Sequence, residues 1–243
     1  MDSNLPGDGQ ERYRRQLELF GRSGQKALKN STAAVVGLGG LGSPAATYLA
    51  IAGVGELLLA DHDEVALSNL NRQFLHWDKD LTRDKTTSAR EKLQNLNQET
   101  TVETFEGKLT SKNIYSLPEI DLIIGSVDNF ETRYLLNDFA VERDIPYIHG
   151  AIEGFSGQLT TVIPGKTPCL RCFFPDKPPE KTGIPVLGTT AGVIGTMMAN
   201  EAIKYLAGKG KLTTGELLLV DLSSNDFDSI KIQRNPTCQT CGN

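Results

Sequence analysis

The chain reads as an α/β protein: a Rossmann-like parallel sheet extended by antiparallel strands into one mixed sheet, with helices on both faces. Three observations lead there. Short apolar runs alternate with helical segments over the first 150 residues, the pattern of right-handed strand–helix–strand crossovers. The run "AAVVGLGGLGSP" (33–44) is a strand entering a glycine-rich turn. After Gly150 the strand-like segments follow one another without short crossovers, which favours antiparallel pairing.

In chain order, residues 10–29 form polar helical segments ahead of the sheet. A buried strand covers 32–36, and a helix runs from the glycine turn to about Ala52. "ELLLAD" (56–61) is the second strand, 83–96 a charged helix, "TVETFEG" (101–107) the third strand and "DLIIGS" (121–126) the fourth. A helix from about Asn129 to Arg143 leads to the fifth strand, "IPYIHG" (145–150). Beyond it, "GQLTTVIPG" (157–165), "GELLLVDL" (215–222) and "FDSIKIQR" (227–234) make the antiparallel extension. An amphipathic helix from about Ala191 to Ala207 lies among them and stops at Gly208, which suits a left-handed cap. The proline-rich run "FFPDKPPEKTGIP" (173–185) reads as a mobile loop.

Composition narrows the function classes. With 243 residues, 39% hydrophobic and 23% charged, the chain suits a soluble globular protein with a real core. A net charge of −5 argues against nucleic acid or an anionic membrane as the main partner. The polar start lacks an apolar signal region, and the most apolar stretch, 33–60, is broken by glycines and a proline. A cytoplasmic protein is expected.

Gly37, Gly39 and Gly42 fit G-x-G-x-x-G, a turn that serves NAD and other nucleotides alike. Gly39, with Gly40 beside it, lets backbone approach a phosphate at a helix N-terminus. Asp61 ends the second strand 19 residues after Gly42, where an acid holds ribose hydroxyls. Asn69, Arg72 and Gln73 lie within five residues, and Lys85 follows on the next helix. That many donors suits a triphosphate, where roughly four charges need neutralising. No G-x-S-x-G elbow or Walker-type lysine is present, and His62, His76 and His149 have no metal or triad spacing.

Cys169 and Cys172 form one C-x-x-C and Cys238 and Cys241 another, with 65 residues between the pairs. Four thiolates in a tetrahedron suit a structural zinc ion with no open position. Two disulfides disagree with a reducing compartment, and an iron–sulfur cluster is the remaining reading.

The longer motifs resemble the MoeB/ThiF/HesA family, relatives of the adenylating domains of ubiquitin-activating enzymes. They are "RYRRQ" (12–16), "VGLGGLGSP", "AGVGELLLADHDEV", "SNLNRQ", "DN" within "GSVDNFETR", "PCLRC" and "NPTCQTC", in family order from residue 12 to residue 241. The resemblance implies ATP rather than NAD. It places Asp61 on the ribose, Asn69, Arg72, Gln73 and Lys85 on the phosphates, and Asp128, with Asn129 beside it, at a magnesium ion. Asp128 is also a natural N-cap for the helix that follows. Arg15 would reach the γ-phosphate of a partner subunit, so a homodimer is implied. One adenylating domain over 1–243 is expected, with an N-terminal helical arm (1–30), a nucleotide-binding half (31–150) and the extension carrying a crossover loop and the zinc site (151–243).

The chain departs from many such relatives in one respect: "PDKPPEKTGIPVLGTTAGVIG" carries no cysteine. The reaction is therefore expected to stop at the acyl-adenylate. The favoured substrate is the C-terminal glycine of a small ubiquitin-like sulfur-carrier protein. The alternatives are a small-molecule carboxylate, such as the guanylylpyridinol precursor of the iron-hydrogenase cofactor, and a non-catalytic nucleotide-binding scaffold.

Overall fold

The computed structural model describes residues 11–179 and 183–242. The expected helical start at residue 10, the rest of the first ten residues and residues 180–182 of the proline-rich run lie outside them. The elements run α1 (Arg14–Lys29), β1 (Thr32–Val36), α2 (Gly42–Ala52), β2 (Glu56–Ala60), α3 (Lys85–Leu96), β3 (Thr101–Phe105), β4 (Leu122–Gly125) and α4 (Phe130–Glu142). They continue with β5 (Tyr147–Glu153), β6 (Ser156–Val162), α5 (Leu170–Phe173), α6 (Gly188–Ala207), β7 (Glu216–Asp221) and β8 (Asp226–Lys231).

All eight strands lie in one sheet of order β3-β2-β1-β4-β5-β6-β7-β8. The pairs from β3 to β5 are parallel and those from β5 to β8 antiparallel. The central strands are continuous apolar runs because helices cover both faces. Leu28 of α1, Leu49 of α2, Leu93 of α3 and Met198 of α6 share one core cluster. Leu136 and Phe139 of α4 and Leu170 of α5 share the other. The edge strand β8 has every residue exposed, its Asp and Lys side chains protecting an open edge.

The chain leaves β1 towards β2 on one side and returns to β4 on the other, which opens a crevice at the carboxyl ends of these strands. Two fingerprint glycines exist for the turn itself. Gly37 has φ +90, and a Cβ there would lie 2.7 Å from the Ser126 carbonyl oxygen. A Cβ on Gly42 would lie 1.9 Å from the Gly37 oxygen. Gly39 differs, since its nearest neighbour would be the Gln73 Nε2 at 3.5 Å. The protein's own packing leaves that position room, so its bareness favours something that approaches from the crevice.

The structure moves some boundaries. Helix α6 begins at Gly188, before Ala191, because its first turn packs on the loop after β2: a Cβ on Gly188 would lie 2.5 Å from the Asn71 oxygen. Strand β5 extends to Glu153, held by its ladder to β6. Helix α1 is broken at Gly21 (φ 70, ψ 179). Gly208 adopts the left-handed cap (φ 65).

Candidate functional site

A cleft of about 1060 Å³ opens at the crevice. The turn after β1, the loop after β2 and the loop after β4 form one end, the end expected for the nucleotide, and β5 and β6 floor the remainder. Gly39, Gly40, Asp61, Asn69, Arg72 and Gln73 line it, as do Lys85, Asp128 and Asn129.

Asp61 is tied to the glycine turn. Its Oδ2 accepts from the Leu38 N–H at 2.6 Å and its Oδ1 from the Asp63 N–H at 2.9 Å. Lys85 is nearly buried, with Nζ 2.8 Å from Asp63 Oδ2 and 4.0 Å from Asp61 Oδ2. Partial burial pushes the Asp63 carboxyl up, but its hydrogen bond and ion pair with Lys85 prevail and hold it below the usual carboxylate range. Asp63 is a partner to which sequence reading gave no role, although it lies within the quoted motif two residues after Asp61.

The loop after β2 is braced from within. Arg72 Nη1 donates to the Ser68 oxygen at 2.7 Å and to Asn71 Oδ1 at 3.1 Å, and Asn69 Oδ1 accepts from the Ala66 N–H at 3.0 Å. Gln73 is buried and its Oε1 has no partner. Asp80, fully buried, accepts from the Trp77 N–H and Arg83 at 2.9 Å each and pairs with Lys92. Burial opposes its charge, yet these donors pull its pKa down to about 2. Buried His76 spans Ser88 Oγ (2.9 Å) and the Leu38 oxygen (3.1 Å), which fastens the glycine turn to α3; burial holds its pKa down.

Asp128 does not cap α4. The cap is Asn129, whose Oδ1 accepts from the Thr132 N–H at 2.9 Å. The helix starts one residue later than an Asp128 cap would require, and among the described residues the exposed Asp128 carboxylate accepts a side-chain hydrogen bond only from Asn129 Nδ2, at 3.4 Å.

Arg15 is exposed on α1 and is not among the residues lining this cleft. Its motif neighbours explain how it is presented. Tyr13 is buried over Gly53 and its hydroxyl accepts from Asn97 at 2.8 Å, while Gln16 donates to the Ala52 oxygen at 2.8 Å. Tyr13 and Gln16 anchor the arm, leaving Arg15 outward.

The four cysteines meet below α4. Their sulfurs lie within 4.8 Å of one another, with Cys169–Cys238 at 3.7 Å and Cys172–Cys241 at 3.4 Å. Sulfurs bound at about 2.3 Å around a tetrahedral zinc stand about 3.8 Å apart, so the donor set fits. Burial and neighbouring Cys241 raise the Cys169 and Cys172 thiols. Burial opposes ionisation of Cys238 too, but backbone N–H groups of Cys241 and Thr240 bring it down to about 7. Asp138 of α4 binds Arg171 and Thr240, which ties both cysteine pairs to the helix that follows Asp128.

Comparison with known proteins places this geometry. The model of the ThiF family matches residues 13–240. The SAMP-activating enzyme E1 of Haloferax volcanii is 40% identical over 250 residues, covering 100% of this chain and 92% of that protein. The sulfur carrier protein adenylyltransferase of Thermus thermophilus is 42% identical over 246 residues, covering 96% and 90%. The crystal structure of E. coli MccB with MccA-N7isoASN has the same fold, with TM-score 0.88 at 24% identity over 99% of this chain and 76% of that one. By class, then, the protein is an ATP-dependent adenylyltransferase. Within that class it belongs to the ThiF family. Among the described residues no helix is long and apolar enough to cross a membrane.

Proposed function

We propose that the protein transfers AMP from ATP to the C-terminal carboxylate of a small ubiquitin-like sulfur-carrier protein. The observation that carries this reading is the length of the cleft. From the nucleotide end it continues over Ala151, Gln158 and Ser156 towards Asp221 and Asp228 at the outer strands. An extended peptide tail fits such a strand-floored arm; a small-molecule carboxylate would leave it unused. The names of the relatives from Haloferax and Thermus point the same way.

The substrate carboxylate is already ionised at neutral pH, so no general base is needed. Its oxygen attacks the α-phosphorus, a carboxyl–phosphate bond forms, and pyrophosphate leaves with the electron pair of the broken bond. Asp61 orients the ribose, and Asn69, Arg72, Gln73 and Lys85 neutralise the phosphates. Lys85 would exchange Asp63 for phosphate oxygen. Asp128, exposed and uncapped, would hold magnesium, which supplies charge stabilisation to the phosphates. Arg15 would serve the cleft of a partner copy in a homodimer, and the cysteine cluster would hold structural zinc. The residues 1–243 then act as one adenylating domain, with no crossover-loop cysteine to capture the acyl group.

ATP–pyrophosphate exchange tests this. A carrier ending in Gly–Gly should support exchange, and the same carrier without its two glycines should not. The protein should contain about one zinc per chain, with no thiol-labile acyl adduct. Exchange driven by a small carboxylate and by no carrier would overturn the reading.

A further inference from the structure

Arg133 is a buried cation that none of the roles above uses. Its residue is 7% exposed and lines the cleft between Asp128 and the β5–β6 floor. Nε and Nη2 both donate to the Val127 oxygen, at 3.2 and 3.0 Å, and the guanidinium lies 4.9 Å from the centre of the Phe130 ring. Among the described residues Nη1 has no acceptor and no carboxylate forms an ion pair with the guanidinium. Burial holds the guanidinium below its ordinary range, and Tyr147 and then Asp128 offset this only in part.

The two polar side chains of β5 near it bring no balancing charge. Tyr147 and His149 of β5 lie near enough to interact with Arg133, both fully buried. The Tyr147 hydroxyl and His149 Nδ1 have no partner, and burial keeps the phenol and the imidazole neutral. His149 Nε2 lies 3.3 Å from Gln158, which lines the floor. Arg133 also sits in the first turn of α4, where the helix dipole disfavours a cation. A single carbonyl could be satisfied by a neutral side chain. An unpaired guanidinium at this point is costly unless an anion arrives.

Two anions enter the cleft under the adenylation reading, on which this inference rests. The triphosphate has Arg72 and Lys85; the attacking carboxylate has no cation assigned. We propose that Arg133 binds the substrate carboxylate at the junction of the nucleotide end and the strand floor, and aims it at the α-phosphorus. Nη1 supplies the charge-assisted hydrogen bond, while Nε and Nη2 keep the fork in place on Val127. One carboxylate oxygen is held and the other is left to form the new bond to phosphorus as pyrophosphate departs.

The test uses a carrier ending in Gly–Gly that supports exchange, and the same carrier with a C-terminal carboxamide. Their affinities are measured by calorimetry with α,β-methylene-ATP present. Wild type should prefer the free acid by about tenfold or more, the range for a hydrogen bond between charged groups. In Arg133→Gln the preference should shrink to within about twofold, while ATP affinity without carrier stays within about twofold of wild type. Arg133→Lys, which keeps the charge with a shorter reach and also serves if the Gln variant does not fold, should restore part of the preference. If the substitutions weaken ATP and leave the acid preference intact, Arg133 only braces the Asp128 loop and the proposal falls. A wild type that does not distinguish acid from amide also overturns it. Failure of every carrier to support exchange in wild type counts instead against the sulfur-carrier reading.

Discussion

Asp128 and Asn129 are adjacent, both are capping residue types, and the structure divides two jobs between them. Asn129 closes the first turn of α4, and Asp128 keeps an exposed carboxylate at the cleft. Their substitutions should therefore separate. Asp128→Asn should lower pyrophosphate exchange by about a hundredfold or more, on the scale of losing one charge-stabilising group, with an unchanged melting temperature. Asn129→Ala should cost about 1 kcal/mol of stability, a fall of roughly 2–4 °C for a chain of this size, with a smaller effect on exchange. Parallel melts and exchange assays check both. A large drop in melting temperature for Asp128→Asn would mean that the carboxylate is structural after all.

The loop between β2 and α3 brings Asn69, Arg72 and Gln73 to the cleft, and its shape depends on Asp80. Its pKa of about 2 in the folded chain lies below the 3.8 of a free aspartate. A depressed carboxylate stabilises the fold above the unfolded-state value and loses that contribution as pH falls through the folded value. Ionised Asp80 is thus worth about 2 kcal/mol near neutral pH, with roughly half remaining at pH 3 and little at pH 2. Asp80→Asn should lose about that amount at pH 7 by urea unfolding, and the gap to wild type should close over the same interval. A gap that is constant from pH 7 to pH 3 would show that charge at Asp80 is not what holds the loop. Sequence made the outward half of this loop legible, because Asn69, Arg72 and Gln73 sit together in one motif. The inward half was not, because Asp80, His76 and Asp63 act through Lys92, Leu38 and Lys85, contacts that local spacing does not encode. The early start of α6 has the same cause: Gly188 is helical because Asn71 lies against it, not because of its own propensity.

At the scale of the whole molecule, alternation of strands and helices fixed the parallel half, and its loss after Gly150 marked the antiparallel half. Strand order determined where the cleft lies, and the motifs named the lining that comes from the turn after β1 and the loops after β2 and β4. Arg133 escaped notice because only the fold reveals that its charge is buried without a counter-ion. Arg15 raises the opposite question, since a single chain leaves it exposed and away from the cleft, on an arm anchored by Tyr13 and Gln16. If the cleft is completed by Arg15 of a second copy while Asp128 serves its own chain, Arg15→Ala and Asp128→Ala should each be nearly inactive as homodimers. Mixing them with subunit exchange should restore activity. At random pairing about half the dimers are mixed, and each mixed dimer has one intact site and one doubly defective site. Recovery to roughly a quarter of wild type is expected if the two sites act independently. Were Arg15 to act within its own chain, no pairing of the two variants could rebuild a complete site. A mixture that mass spectrometry shows to have exchanged subunits, yet stays at the baseline of its parents, would reject the shared site.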